Sequence, residues 1–457
     1  MTLVVGLSIP DRVCRFFQNH PSMRSTLVFL RAVSLGVLVL CASHAQAQSL
    51  PEVVQQALAK YPSIVVAQAR AEAARAEIGR ARSQHFPQIS LGAGHNSYSS
   101  GQVPSSLGRN TYAPAAKVNL WSGGRIEAEA ERAEALTQSS ESQGRVTLDE
   151  VALQASEAYL NWLKMLDLSE LADRNLQAHN DTLEDIRKIA QADMGRRIDL
   201  EQAQVRVDNA RLAVQLRHAE LLQAVQKLRR FWDGTPGVPP GDSDQVFTQG
   251  PLASMPASLE QALERITDDF PGIAQYKAQV LAAEAAIRQA KALYWPTVDL
   301  VSSRAFNANT LRFETLTQVQ MNMQVFNGQA TSAQVESAVA QLRSAQASLD
   351  EARLVVREKV ALAWQEWASA RSRAELGRSQ SSVGDKVVEG YRLQFRLARR
   401  SLLDLLNIQA DTFNYHSAAR AAVHDERLAR ARLLASIGDL AQRFAPGNVT
   451  PAAPESR

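Results

Sequence analysis

Cysteine is almost missing from this chain: of 457 residues only Cys14 and Cys41 carry a thiol, and both fall within the first 47. Past them there is no disulfide, no thiol nucleophile and no Cys-ligated metal. An excess of one charge is missing too. The net charge of +3 is supplied by Arg12, Arg15, Arg24 and Arg31 against Asp11, so the remaining residues are near neutral. That balance gives no support to nucleic-acid binding. Long apolar runs are also lacking, since nothing beyond the N-terminal segment approaches the ~18 continuous apolar residues of a spanning helix. The signatures of catalysis fail in the same way: there is no Walker loop, no GxGxxG after a strand, no HExxH and no GxSxG. Six histidines lie beyond residue 47, widely scattered, and His85 and His95 flank a strand-like segment rather than forming a ligand set. A passive, cofactor-free and metal-free protein is expected, not an enzyme.

The first 47 residues read as a leader. From Met23, a plausible start, Arg24 and Arg31 precede an apolar run from Ala32 to Ala42, and Ala45-Gln46-Ala47 supplies a small-residue cleavage site. The run is about half the ~20 residues that a membrane span needs, so cleavage after Ala47 is expected. An exported chain without a spanning helix is either soluble or a β-barrel.

What the chain does have is an internal repeat. Ser49-Leu50 returns as Ser258-Leu259, Pro62 as Pro271, and His85-Phe86-Pro87 as Tyr294-Trp295-Pro296, each 209 residues on. Leu120-Trp121-Ser122-Gly123 returns as Val325-Phe326-Asn327-Gly328, and Arg197-Ile198-Asp199 as Leu402-Leu403-Asp404, each 205 residues on. Two equivalent halves follow, 48–233 and 258–444. Between them, 234–257 is rich in proline and glycine and reads as a surface linker; 445–457 reads as a disordered tail.

Each half has the same order of elements. A helix (about Leu50–Gln84, then Leu259–Leu293) stops before a proline. Two strands follow, within about 86–121 and 295–326. A proline-free helical tract of about 70 residues comes next (Gly124–Gln191, Gln329–Phe395), roughly 100 Å long at 1.5 Å per residue. A polar break near Asp193–Arg197 or Arg399 leads to a final helix, ending near Trp232 or Phe444. Heavy use of alanine favours helix and close packing.

The strands bear on where the protein sits. Tyr112–Leu120 alternates, with Tyr112, Pro114, Ala116, Val118 and Leu120 on one side. In Phe313–Val325, Phe313, Val319, Met321, Met323 and Val325 oppose Glu314, Gln318, Gln320, Asn322 and Gln324. Segments of this length with one apolar and one wet face match membrane-spanning strands. The partners, Ile89–Ser99 and Val298–Asn309, are weaker, and Val298–Ser303 shows no consistent face. The Ser/Gly/Asn-rich connection Ser97–Asn110 reads as an external loop. A small periplasmic sheet packed on helices is the alternative. Four strands cannot close a barrel, since the smallest spanning barrels have about eight; if these strands span, several chains must share one barrel.

With the duplicated plan in view, FPQISLGAG (Phe86–Gly94), YWPTVDL (Tyr294–Leu300), NLWSGGR (Asn119–Arg125), QVFNGQ (Gln324–Gln329) and Tyr391–Ala418 make the chain resemble the TolC family of outer-membrane factors. The last segment is similar to members that serve type I secretion. The resemblance implies a mainly α protein with transmembrane β, whose long helical hairpins form a periplasmic α-barrel. Four strands per protomer would join a shared barrel in a homotrimer within outer-membrane lipid. It implies an exit duct for type I protein secretion or multidrug efflux, docked to a periplasmic adaptor and an inner-membrane transporter of ABC or RND type. It also implies a closed periplasmic entrance at the helix–helix turns. Asp404 matches the first of two acidic constriction residues and Asn407 stands at the second. Among the gate-closing contacts, Arg400 matches the arginine, Asp199 the acid, and Phe395 stands where an aromatic hydroxyl is expected. One closing hydrogen bond should then be missing, a loss of about 1 kcal/mol per subunit. Arg196, Arg197, Arg392, Arg396 and Arg399 make the tips basic and are candidates for adaptor contact. The competing readings are a periplasmic membrane-fusion-type adaptor and a periplasmic coiled-coil scaffold.

Overall fold

The computed structural model describes residues 49–95, 110–192, 197–232, 245–307, 312–397 and 399–445. The expected leader, the tip of the 97–110 connection, Arg196, the first part of the linker and the tail from 446 lie outside the described residues. Among the described residues no helix is long and apolar enough to cross a membrane.

Both halves open with a helix that proline interrupts. The first holds α1 (Leu50–Lys60) and α2 (Pro62–Arg82), and the second holds α6 (Leu259–Glu264) and α7 (Pro271–Lys291), with a short α5 (Gln245–Thr248) ahead of them. This corrects the expectation of one unbroken helix in each place. Tyr61 (φ −68, ψ 131) and Phe270 (φ −58, ψ 129) are extended, and the following proline starts a new helix at its first position. There its missing N–H costs nothing, whereas inside a helix it costs about 3 kcal/mol. Each of α2 and α7 ends in one 3-10 turn, because Phe86 and Trp295 precede prolines and are extended.

The strands are β1 (Gln88–His95), β2 (Asn110–Trp121), β3 (Thr297–Asn307) and β4 (Arg312–Asn322), in one antiparallel sheet ordered β1-β2-β3-β4. The two halves thus pair through β2 and β3. The strand-to-helix junctions also repeat: Gly123 and Gly124 have φ of 63° and 82°, and Gly328 and Gln329 have 66° and 69°. Gly123 has a second reason to lack a side chain, since a Cβ there would lie 2.6 Å from Cβ of Trp295.

The long helices are α3 (Arg125–Ala192, 68 residues) and α8 (Ala330–Arg396, 67 residues); α4 (Arg197–Leu228) and α9 (Leu402–Ser436) return along them. Along α8, Ala363, Ala370, Gly377 and Gly384 recur every seventh residue. A Cβ on Gly377 would come within 3.0 Å of Ala419 Cα, and one on Gly384 within 3.2 Å of Tyr415. Small residues at this spacing let α8 and α9 approach closely.

The main core gathers around the middle of α3. Val151, Ala155, Leu160 and Trp162 meet Leu50 and Val54 of α1, Leu228 of α4, Leu434 of α9, Leu440 of the C-terminal α10 (Leu440–Arg443) and Phe444 just after it. The second part of the linker is drawn in as well, which corrects the surface reading for 245–257. Leu252 is fully buried. Arg430 donates to the carbonyls of Phe247 (3.0 Å) and Leu252 (3.3 Å), and Arg443 to those of Pro251 (3.1 Å) and Ser254 (2.7 Å). Prolines remove helical partners from this backbone, and the two guanidiniums satisfy the freed carbonyls.

Asp149 of α3 ties down the C-terminus by accepting the N–H groups of Ala441 (2.9 Å) and Leu440. Burial pushes its carboxyl up to about 6, the charge of Asp439 adds to the rise, and the two N–H bonds oppose it. The folded state therefore holds this proton more tightly than the unfolded chain does. Stability linked to it is full below about pH 4 and is lost as pH rises through about 6. Asp149→Asn keeps an acceptor for the N–H groups without the buried charge. Thermal unfolding should show no gain below pH 4 and a gain of up to about 2 kcal/mol at pH 7.5; a gain independent of pH would show that the charge is not the cause.

Candidate functional site

Two regions carry the features expected of a conduit: the sheet and the turns between long helices. In the sheet, register sorts the side chains. Ile89, Ala116, Ser302 and Thr317 lie in one row; Val118, Leu300 and Val319 in another nearer the helices; and Trp121, Val298 and Met321 in the last. This face is apolar and exposed: Ile89 is 84%, Val319 64% and Met321 66% accessible. The opposite face carries the rows Gln88–Lys117–Val301–Gln318 and Asn119–Asp299–Gln320. On that side Lys117 Nζ lies 2.8 Å from Asp299 Oδ2, and Asn119 Nδ2 donates to Asp299 Oδ1 at 2.9 Å. The segment Val298–Ser303, which showed no consistent face by itself, is resolved by its neighbours. Val298 and Leu300 join the apolar side, Ser302 bonds Thr317 on it at 3.0 Å, and Val301 is the exception.

At the foot of the sheet, exposed aromatic residues cluster. Trp121 and Trp295 meet edge to face at 6.3 Å, with Phe86, Tyr294 and Phe326 also exposed. Aromatic rings at this position suit the boundary between lipid and water.

At the turns, an apolar cluster of Leu183 and Ile186 (α3), Ala203 and Val207 (α4), and Leu402 and Leu406 (α9) joins the two hairpins, with Phe395 packed against it. Phe395 is therefore a packing residue of this cluster. Arg400 Nε donates to Gln394 Oε1 at 3.1 Å, its guanidinium sits 4.4 Å from the ring centre of Tyr391, and Nη1 lies 3.9 Å from Asp404 Oδ2. All three partners belong to its own hairpin. Ser401 caps α9 by accepting the Asp404 N–H at 3.2 Å, and the Asp404 carboxylate is about half exposed. Asp199 lies in the first turn of α4, where a carboxylate is favoured by the helix dipole. Asn407 Oδ1 accepts from Arg206 Nη2 at 2.9 Å, which links the second hairpin to the first. Arg197, Arg396 and Arg399 are exposed; Arg392 lies 3.8 Å from Glu389.

Three residues that sequence reasoning passed over matter here. Tyr391 supplies the aromatic ring under Arg400, one turn before Phe395, and Gln394 supplies its acceptor. Arg206 reaches across to Asn407 from a residue 201 positions away, a pairing that no local spacing reveals. Just above the cluster, Gln409 donates to Thr182 at 3.3 Å in a buried setting. His179 is buried on the same side of α3, and burial first, then the charge of Arg206, lowers its pKa, so the ring is neutral near pH 7.

A family model described as outer membrane efflux protein matches residues 53–234. The outer membrane efflux protein BepC of Brucella suis is 24% identical over 416 residues, covering 89% of each chain. Protein CyaE of Bordetella pertussis is 24% identical over 413 residues, covering 88% of this chain and 86% of its own. Among solved structures, a membrane protein from Pseudomonas aeruginosa superposes with a TM-score of 0.69 at 20% identity, over 85% of this chain and 93% of that one. The family model thus matches the first repeat, and the fold of these outer-membrane structures is shared along most of the chain, so the chain is similar to outer membrane efflux proteins in its first half and in its overall fold.

Proposed function

We propose that the protein is the outer-membrane exit duct of a tripartite export system, assembled from three copies and passive in itself. The observation that carries this reading is the open sheet. Its apolar face is exposed, its other face is polar, and β1 and β4 end the sheet without a further strand among the described residues. Hydrocarbon does not tolerate such edges, where each unpaired backbone group costs several kcal/mol. A barrel shared with identical chains joins β4 of one copy to β1 of the next, and three copies supply twelve strands.

The helices support the same assembly. Val355, Leu362, Leu376 and Val383 on α8, and Leu397 just past its end, are exposed at multiples of seven residues, beside the small-residue stripe that faces α9. Ile198, Val205 and Leu212 repeat the spacing on α4. A helix with apolar stripes on two sides has neighbours on two sides, as in a barrel of helices with a 3.5-residue period. The tips would then form the periplasmic entrance, with Asp404 contributing three carboxylates near the axis and the Arg197, Arg396 and Arg399 side chains facing a periplasmic adaptor. The adaptor in turn would couple the duct to an inner-membrane transporter, which selects the cargo.

Two experiments test the reading. Native mass spectrometry of the detergent-purified protein should give a three-chain species that collapses to single chains only on boiling; a stable monomer in detergent-free buffer would remove the duct. In planar bilayers, Asp404→Ala should weaken block of single-channel current by a multivalent cation about tenfold, and Asn407→Asp should strengthen it. Block that ignores both substitutions would refute the placement of the constriction.

A further inference from the structure

Among the described residues, the apolar face of the sheet carries one arginine and no lysine. Arg304 shares the side of β3 that holds Val298, Leu300 and Ser302, and stands opposite Thr315 of β4. Its side chain is exposed, and its guanidinium lies 5.5 Å from the ring centre of Phe313, which is on the same face by alternation. The register and the ring contact thus place the charge independently on the side turned to lipid. Glu314, the nearest acid in the facing strand, points to the other side, and among the described residues no carboxylate forms an ion pair with Arg304.

An arginine in the middle of a barrel's lipid face costs about 2–4 kcal/mol, and near the boundary roughly 0–1. The height of Arg304 decides between them. It stands seven residues beyond Thr297, the foot of β3. At ~3.3 Å per residue and a tilt of ~40°, that is about 18 Å above the lower aromatic cluster, in an apolar band about 25 Å tall. An extended arginine reaches roughly 6 Å further, to the upper boundary. The exposed rings of Tyr112 and Phe313 lie at the same end of the sheet and mark that boundary.

We infer that Arg304, held over the Phe313 ring, is a binding site for the phosphate of a lipid headgroup in the outer leaflet, one per subunit. A planar guanidinium stacked on a ring keeps its N–H groups free for two phosphate oxygens, and among the described residues no acid pairs with it. The inference rests on the strands being a membrane barrel.

The test uses the full-length protein in detergent, titrated with diphosphorylated lipid A or with phosphatidylcholine and read by native mass spectrometry. Wild type should retain lipid A, and Arg304→Gln should retain it about tenfold less well. Arg304→Lys should fall between, and phosphatidylcholine, whose phosphodiester is offset by its own choline cation, should be retained weakly and respond far less to either change. Inorganic phosphate at equal concentration should not displace the lipid. Equal retention of lipid A by wild type and Arg304→Gln, in preparations where both remain detergent-stable oligomers, would overturn the site alone. Loss of the detergent-stable oligomer from wild type would instead overturn the barrel beneath it. Displacement by inorganic phosphate would overturn the lipid as ligand.

Discussion

A backbone N–H or C=O without a partner is tolerable in water and costs several kcal/mol in hydrocarbon. Most of what is distinctive about this protein follows from that constraint acting on a sheet of four strands. The sheet is too narrow to close, and its apolar face is too exposed to be a finished surface. In the proposed assembly, completion by sister chains would satisfy the edges and would dictate how the helices below are used. Each protomer would then form only a sector of a wall, which accounts for apolar stripes on its long helices beyond those that meet their own partners. On that proposal the exposed leucines and valines of α8 belong to an interface that neighbouring copies would complete.

The duplication makes such a sector economical to encode. Each half supplies one strand pair and one helical hairpin, and the halves meet where β2 pairs with β3. The most demanding points are the junctions where a strand turns into a 100 Å helix. Both use two successive left-handed residues, and in the first half the turn packs so closely on Trp295 that only glycine fits. In the second half Gln329 takes a left-handed conformation that glycine would adopt more readily, a local strain of about 1 kcal/mol.

At the opposite end the forces are mixed. An apolar cluster holds the two hairpins together near their turns, while contacts a little further along the helices are polar and few: Arg206 with Asn407, Gln409 with Thr182. Arg400 is occupied within its own hairpin by Tyr391, Gln394 and Asp404. Its charge is thereby positioned at the tip without being consumed by the first hairpin. That division would suit the proposed duct, with a permanent wall and an adjustable entrance.

Much of this could be read from residues in order. The repeat, the prolines at 87 and 296, the two proline-free tracts and the alternation in β2 and β4 each reflect a local rule, and local rules need no partner to operate. The final boundaries of α3 and α8 fall within one residue of those expected. Tertiary structure decided what depended on neighbours distant in sequence. The face of Val298–Ser303 emerged only from pairing with β2 and β4. The strap at 245–257 was drawn inward by Arg430 and Arg443, and Phe395 was claimed by an apolar cluster. Asn407 found Arg206 across two helices. Periodicity records which side of a segment is apolar, but only packing determines what that side, or a single charge upon it, will meet.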